Sequence, residues 1–534
     1  MAVVSKFSDK WVLVIDDMEG MRSQLRMSLS NSGFEKLHVV SSIREALDRM
    51  AGNRYDVVLC DYSLGDSTDG QQFLEYLRTN DLISRNAIFV MITAEQAYEK
   101  VVAASECAPD DYLLKPFTAA QFNARLEKLM DKQGYFAGID KAADAKDWKR
   151  VIAECDRLLP AKDRYFVEVS KLKGEALLKD NRPQEAADLY RQIVALRPLG
   201  WARLGLARAL AATGQKDEAR GIAREILADS PQFMAAYDFL SKQLATSGEQ
   251  HEALEVLQKA REVSPGTMSR IRELSTLAVH AGKPEIAETV MREALKKHKH
   301  SPVRQVHDYA VLSKALASQG KSDEAISIVA EARNSFRDEH SSAVLAASES
   351  VAHRAAGNDE LAEAALALAL SGDMSNLPPE VAASVADACF AMGKEEEATK
   401  LLRHAIQNNP EDAATRDRIH RVLTGAGKEG AEADALIDAS SREIILLNNE
   451  GVRKAEAGEL DEAVGLLCEA ADRLPNNLQI VGNAALVIAL DLARNGNDAG
   501  KLGRCLRYRE SLVSKSPNHP KLAQIDGLLK QLKK

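Results

Sequence analysis

A six-residue pattern, Gly-x-x-x-x-Ala, is written seven times: GQKDEA (214–219), GEQHEA (248–253), GKPEIA (282–287), GKSDEA (320–325), GNDELA (357–362), GKEEEA (393–398) and GELDEA (458–463). Pro198, Pro231 and Pro265 recur at intervals of 33 and 34, and Ala186, Ala219, Ala253 and Ala287 at 33, 34 and 34. Apolar residues at helical spacing flank each glycine. A chain written this way cannot bury one central core; each unit has to bury its apolar face on its neighbours. Glycine ends the first helix of a pair and turns the chain. The small alanine lets the second helix pack closely, and proline stops that helix from continuing.

A period near 34 with these markers resembles the tetratricopeptide repeat. Gly174, Ala186, Tyr190 and Pro198 fall at consensus positions of that family, and so do Gly451, Ala463, Ala470 and Pro475. Spacing drifts in the middle, to 38 between Ala287 and Ala325 and 37 between Ala325 and Ala362, and the pattern is degenerate between 411 and 443. The expectation is about nine to eleven helical hairpins over 134–518 and a capping helix over 519–534. The resemblance implies an all-α solenoid whose concave surface binds a peptide or protein, so an unidentified target protein is the expected partner.

The first 131 residues follow a different rule. Continuous apolar runs without alternation, such as Val57–Cys60 and those within WVLVIDD (11–17) and NAIFVMITA (86–94), read as strands covered on both faces. KLHVVSS and DDYLLKPF (110–117) complete five strands, and each is followed by a stretch of helical periodicity. The fourth of these helices is AYEKVVAASEC, and the fifth ends at Lys132. Five βα units in series imply an α/β doubly wound, five-stranded parallel sheet. The functional edge of such a sheet lies beyond the carboxyl ends of its strands. Asp16 and Asp17 close the first strand, Asp61 the third, Thr93 the fourth, and Lys115 with Pro116 the fifth. Three carboxylates gathered at one edge repel one another unless a cation neutralises them or some of them protonate. A hard, oxygen-seeking ion such as Mg²⁺ suits them. A lysine and a hydroxyl beside them suit a phosphoryl group.

Asp16–Asp17, Asp61, Thr93–Ala94 and Lys115–Pro116–Phe117 resemble the receiver domain of CheY-like response regulators, of flavodoxin-like fold, over residues 9–131. By that resemblance Asp61 is the phosphoacceptor, taking its phosphoryl group from the phosphohistidine of a sensor histidine kinase. Asp16, Asp17, Asp61 and the backbone carbonyl of Ser63 ligate Mg²⁺, Thr93 and Lys115 contact the phosphoryl oxygens, and Tyr112 is the switch aromatic. The family's usual proline after Asp61 is missing, and the GDSTDG loop is one residue longer than the common pattern. Glu95 and Ser63 occupy positions that in this family tune the lifetime of the acyl phosphate.

The resemblances together imply a two-component response regulator with output through protein binding and no enzymatic activity beyond its own phosphorylation. A formal charge of −9 argues against electrostatic binding of nucleic acid or an anionic membrane over the whole surface. The alternatives are a regulator using the repeats on nucleic acid and a phosphate sink. The six cysteines have no metal-ligand spacing, and the eleven histidines carry no H-E-x-x-H motif. With no signal sequence and no apolar run long enough for a membrane span, a cytoplasmic protein is expected. The basic run LKKHKH (295–300) reads as a helix end whose cations face the dipole. No flexible tether separates the two parts, so the first hairpin is expected to dock on the receiver. Phe122, Leu126 and Leu129 lie at helical spacing on the fifth helix, at least two of them are expected in the receiver core, and Tyr135 and Phe136 are expected at the junction.

Overall fold

The computed structural model describes residues 7–64, 69–80, 82–94, 109–161, 163–299, 301, 303–374, 377–410, 412–496, 498–516 and 519–531. It divides into two compact units. The first is Met1–Leu244 with His251–Leu274 and Arg292–Gln305, and the second is Ala245–Gln250 with Ser275–Met291 and Val306–Lys534. The division cuts through the helical array, so the first unit holds both the sheet and the first helical pairs.

In the first unit, β1 (Trp11–Ile15), β2 (Lys36–Val40), β3 (Val57–Asp61), β4 (Ile88–Ala94) and β5 (Asp111–Lys115) form one sheet. Its order is β2-β1-β3-β4-β5, and every pairing is parallel. The apolar runs lack alternation because both faces are covered. Val12, Val14, Val57, Leu59, Val90 and Ile92 pack with Leu25, Leu29, Phe122 and Leu126 on one face. Leu13, Ile15, Val58, Cys60, Phe89 and Met91 pack with Ile43, Phe73, Leu74 and Leu77 on the other. The helix expected at AYEKVVAASEC lies outside the described residues.

One expectation is corrected. The fifth helix does not stop at Lys132: it runs unbroken from Ala119 to Asp144. Nothing in DKQGYFAGIDKAAD breaks a helix strongly. Gly134 and Gly138 each cost only about 1 kcal/mol there, and the second half repays this by burial. Phe122, Leu126 and Met130 enter the sheet core, whereas Phe136, Ile139, Ala142 and Ala143 enter the next cluster with Val151, Ile152 and Cys155. Tyr135 and Phe136 stack about Tyr165, with ring centroids 4.7 and 5.4 Å away. The helix thus belongs to the receiver at one end and to the first hairpin at the other.

The turn of each motif is shown by its backbone. All seven motif glycines have φ between 71° and 89°, in the left-handed region that other L-residues reach only with strain. Two more turns of the same kind carry no glycine: Lys146 (φ 54°) and Asn181 (φ 57°) stand five residues before Val151 and Ala186, where the motif puts its glycine. Tyr190 explains two further glycines, because a Cβ at Gly174 or Gly205 would lie 2.4 Å from its ring.

The second unit is all-helical among the described residues. Ala325, Ala362, Ala398 and Ala463 are fully buried, as the motif requires. Lys314 Nζ donates to Asp387 at 2.5 Å, and Asn483 donates to Asn448 at 2.7 Å in the interior. The helix Leu522–Gln531 puts Leu522 and Ile525 into the last apolar cluster and so seals it. No helix among the described residues is long and apolar enough to cross a membrane.

Candidate functional site

The strand order reverses between β1 and β3, and the crevice this opens at their carboxyl ends is where doubly wound sheets gather ligands. β1 runs into Asp16, which is fully buried, and exposed Asp17, while β3 ends on Asp61, 6% exposed. One carboxylate oxygen from each of the three lies within 4.8 Å of the others. In register, Asp61 pairs with Ile92, and Ala94 with Lys115, so the ends of β3, β4 and β5 lie side by side. Thr93, near the end of β4, is 1% exposed. The Lys115–Pro116 peptide is cis.

Lys115 reaches back across the edge. Its Nζ donates to Asp61 Oδ2 at 2.7 Å and to Asp16 Oδ2 at 3.1 Å. Burial raises the pKa of Asp61; the Lys115 ammonium and a backbone hydrogen bond from Ser63 work against that rise without cancelling it. Burial also opposes the charge on Lys115, but its two carboxylate partners win and hold its pKa above the usual lysine value. The result is a partly desolvated nucleophilic oxygen held by a persistent cation.

Of the sequence-derived site residues, Asp16, Asp17, Asp61, Thr93 and Lys115 are brought to one edge. Ser63 is exposed, two residues beyond Asp61. Tyr112 packs against the apolar cluster containing Phe89 and Met91. Glu95 and residues 65–68 of the loop after Asp61 lie outside the described residues.

Several contributors escape a reading of the strand ends. Arg22 Nη1 donates to the backbone carbonyls of Asp16 at 2.8 Å and Asp17 at 2.7 Å, tying down the acidic pair. The helix Gly70–Thr79 begins at a capping box in which Asp69 accepts from Gln72 N–H and the Gln72 side chain accepts from Asp69 N–H. The helix start at Gly70 is legible in GQQFLEYLRTND, and the D-x-x-Q spacing of DGQQ is the signal for its cap. Gly70 is required by close approach: a Cβ there would lie 2.5 Å from the Asp61 carbonyl oxygen and 2.8 Å from Met91 Sδ.

Comparison with known proteins agrees with this geometry. Residues 12–127 match the response regulator receiver domain family, and residues 177–243 match a tetratricopeptide repeat family. Response regulator MprA from Mycobacterium sp. (strain KMS) is 32% identical over 132 residues, which is 25% of this chain and 55% of that protein. The chain thus spans about half the length of the curated relatives it matches. Among solved structures, the receiver domain of a signal transduction histidine kinase from Syntrophus aciditrophicus is similar at 22% identity and a TM-score of 0.21, covering 23% of this chain and 91% of that one. A tetratricopeptide repeat protein from Parabacteroides merdae is similar at 13% identity and a TM-score of 0.36, covering 48% and 98%. The chain carries a response regulator receiver domain at its N-terminus and tetratricopeptide repeats C-terminal to it.

Proposed function

We propose that this protein is a two-component response regulator phosphorylated on Asp61 by a sensor histidine kinase, with output through a target protein bound by the repeats. The observation that carries the reading is the Asp61 carboxylate at the strand edge with Lys115 Nζ 2.7 Å away. An Asp61 oxygen attacks phosphorus, the phosphorus–nitrogen bond of the phosphohistidine breaks, and the imidazole leaves with the electron pair. Lys115 and Thr93 take the phosphoryl oxygens, and Tyr112 follows Thr93 as the switch. Lys115 also keeps the remaining charge of Asp16 offset.

The oxygen-only donor set of Asp16, Asp17 and Asp61 fits a hard divalent cation such as Mg²⁺. The Ser63 carbonyl joins that set by family resemblance. When bound, the ion neutralises charge that gathers on the transferring group. The same reading assigns no further catalytic activity and a cytoplasmic location.

A pull-down with the full chain, with and without beryllofluoride, tests the output. At least one protein whose recovery changes with beryllofluoride, and does not change with Asp61→Asn, is expected. Identical recovery in every arm would contradict output through binding and favour a phosphate sink.

A further inference from the structure

The receiver touches the repeats at a second place, far along the chain from the junction helix. Glu75, on the helix Gly70–Thr79, accepts from Ser269 Oγ at 3.0 Å, across 194 residues of sequence. It also accepts a backbone hydrogen bond from Ser269, with Arg272 and Arg270 close by. Ser269 is the second residue of the helix Met268–His280, where backbone N–H groups have no partner within their own helix. Neither arginine is loose: Arg270 pairs with Asp238 at 3.0 Å, and Arg272 donates to the Val303 carbonyl at 2.6 Å. A longer-range charge effect accompanies this contact. Lys297, the last residue of the helix Pro284–Lys297 and part of the basic run at 295–300, lowers the pKa of Asp69, though burial raises it by more. That cap residue starts the same receiver helix.

The other end of this contact leads to the phosphoacceptor. Gly70 N–H donates to the Tyr62 carbonyl at 2.9 Å, and Gly70 leaves no room for a Cβ against the Asp61 carbonyl. Phe73, Leu74 and Leu77 lock the helix into the sheet with no exposed surface. A close-packed helix moves as a unit, so displacement at the Asp61 end carries to Glu75 five residues on.

We propose that Glu75 on the receiver and Ser269 on the repeats form an intramolecular latch that passes the state of Asp61 to the start of the helix Met268–His280. The latch rests on the reading of Asp61 as phosphoacceptor. Phosphorylation adds about −2 of charge at one end of a helix whose other end carries the Glu75 carboxylate bonded to Ser269. This route is separate from the junction helix.

Hydrogen exchange on the full chain tests it, with Mg²⁺ present and with or without beryllofluoride, in wild type, Glu75→Ala and Glu75→Gln. Glu75→Ala is expected to speed exchange in 268–274 about tenfold, with Glu75→Gln, which keeps the size and one acceptor, in between. Beryllofluoride is expected to alter 268–274 in the wild type and not in Glu75→Ala. Unchanged exchange at 268–274 in both variants overturns the contact. An equal beryllofluoride response in wild type and Glu75→Ala overturns its role as the route. A response at 57–64 with none at 268–274 overturns the latch alone, whereas no response at 57–64 overturns the phosphoacceptor reading as well.

Discussion

Asp61 is asked to be a nucleophile while sitting 6% exposed, and burial raises its pKa. Only the ionised carboxylate attacks phosphorus, so phosphoryl uptake falls as pH drops through that raised value. Lys115 opposes the rise. Lys115→Gln is therefore expected to move the acidic limb of uptake from a small phosphodonor upward by about one pH unit. Uptake measured against pH checks this; an unmoved limb would mean the ammonium does not set the ionisation of Asp61. A residue away from that edge gives a stability test with its own sign. Asp140, on the junction helix, is pushed up to about 6 by burial, with Asp144 adding to the rise. A raised carboxyl pKa penalises the folded state once pH exceeds that value, and the penalty vanishes below the unfolded value. Asp140→Asn should thus stabilise by about 1–2 kcal/mol above pH 7, fading toward pH 4. Denaturant unfolding at the two pH values reads the difference.

Among the elements, the helical turns separate what composition shows from what only the backbone shows. The motif glycines announce their turns, whereas Lys146 and Asn181 hold the same conformation with no glycine to mark it. Lys146→Gly is expected to gain about 1 kcal/mol, Gly214→Ala to lose about as much, and Asn181→Gly to gain less, since asparagine visits this region more readily. Unfolding midpoints in denaturant decide; a loss on Lys146→Gly would mean its side chain matters more than its backbone. The five strands were legible because burial on both faces leaves unbroken apolar runs. Asp16, Asp61, Thr93 and Lys115 were legible because such runs end where chemistry gathers. The length of the helix Ala119–Asp144 was not, because its apolar residues serve two clusters and its periodicity shifts between them. Arg22 was hidden for another reason: it acts through backbone carbonyls, which leave no mark on the residues they belong to.

At the scale of the molecule, the receiver and the repeats meet through contacts distant in sequence. Gln133 donates to the Asn86 carbonyl at 2.6 Å, and Lys132 pairs with Glu168 at 2.7 Å around a cleft of about 280 Å³ beneath β4 and β5. Glu75 and Ser269 meet on the flank. No periodicity encodes such pairings, since each partner looks like an ordinary surface residue of its own helix. All of them matter to signalling only if the edge accepts a phosphoryl group. Incubating the full chain with a small phosphodonor and Mg²⁺, then weighing it intact, measures this directly. One phosphoryl group per chain is expected in the wild type, with none in Asp61→Asn and none under chelation; labelling that survives Asp61→Asn would contradict the assignment of the site.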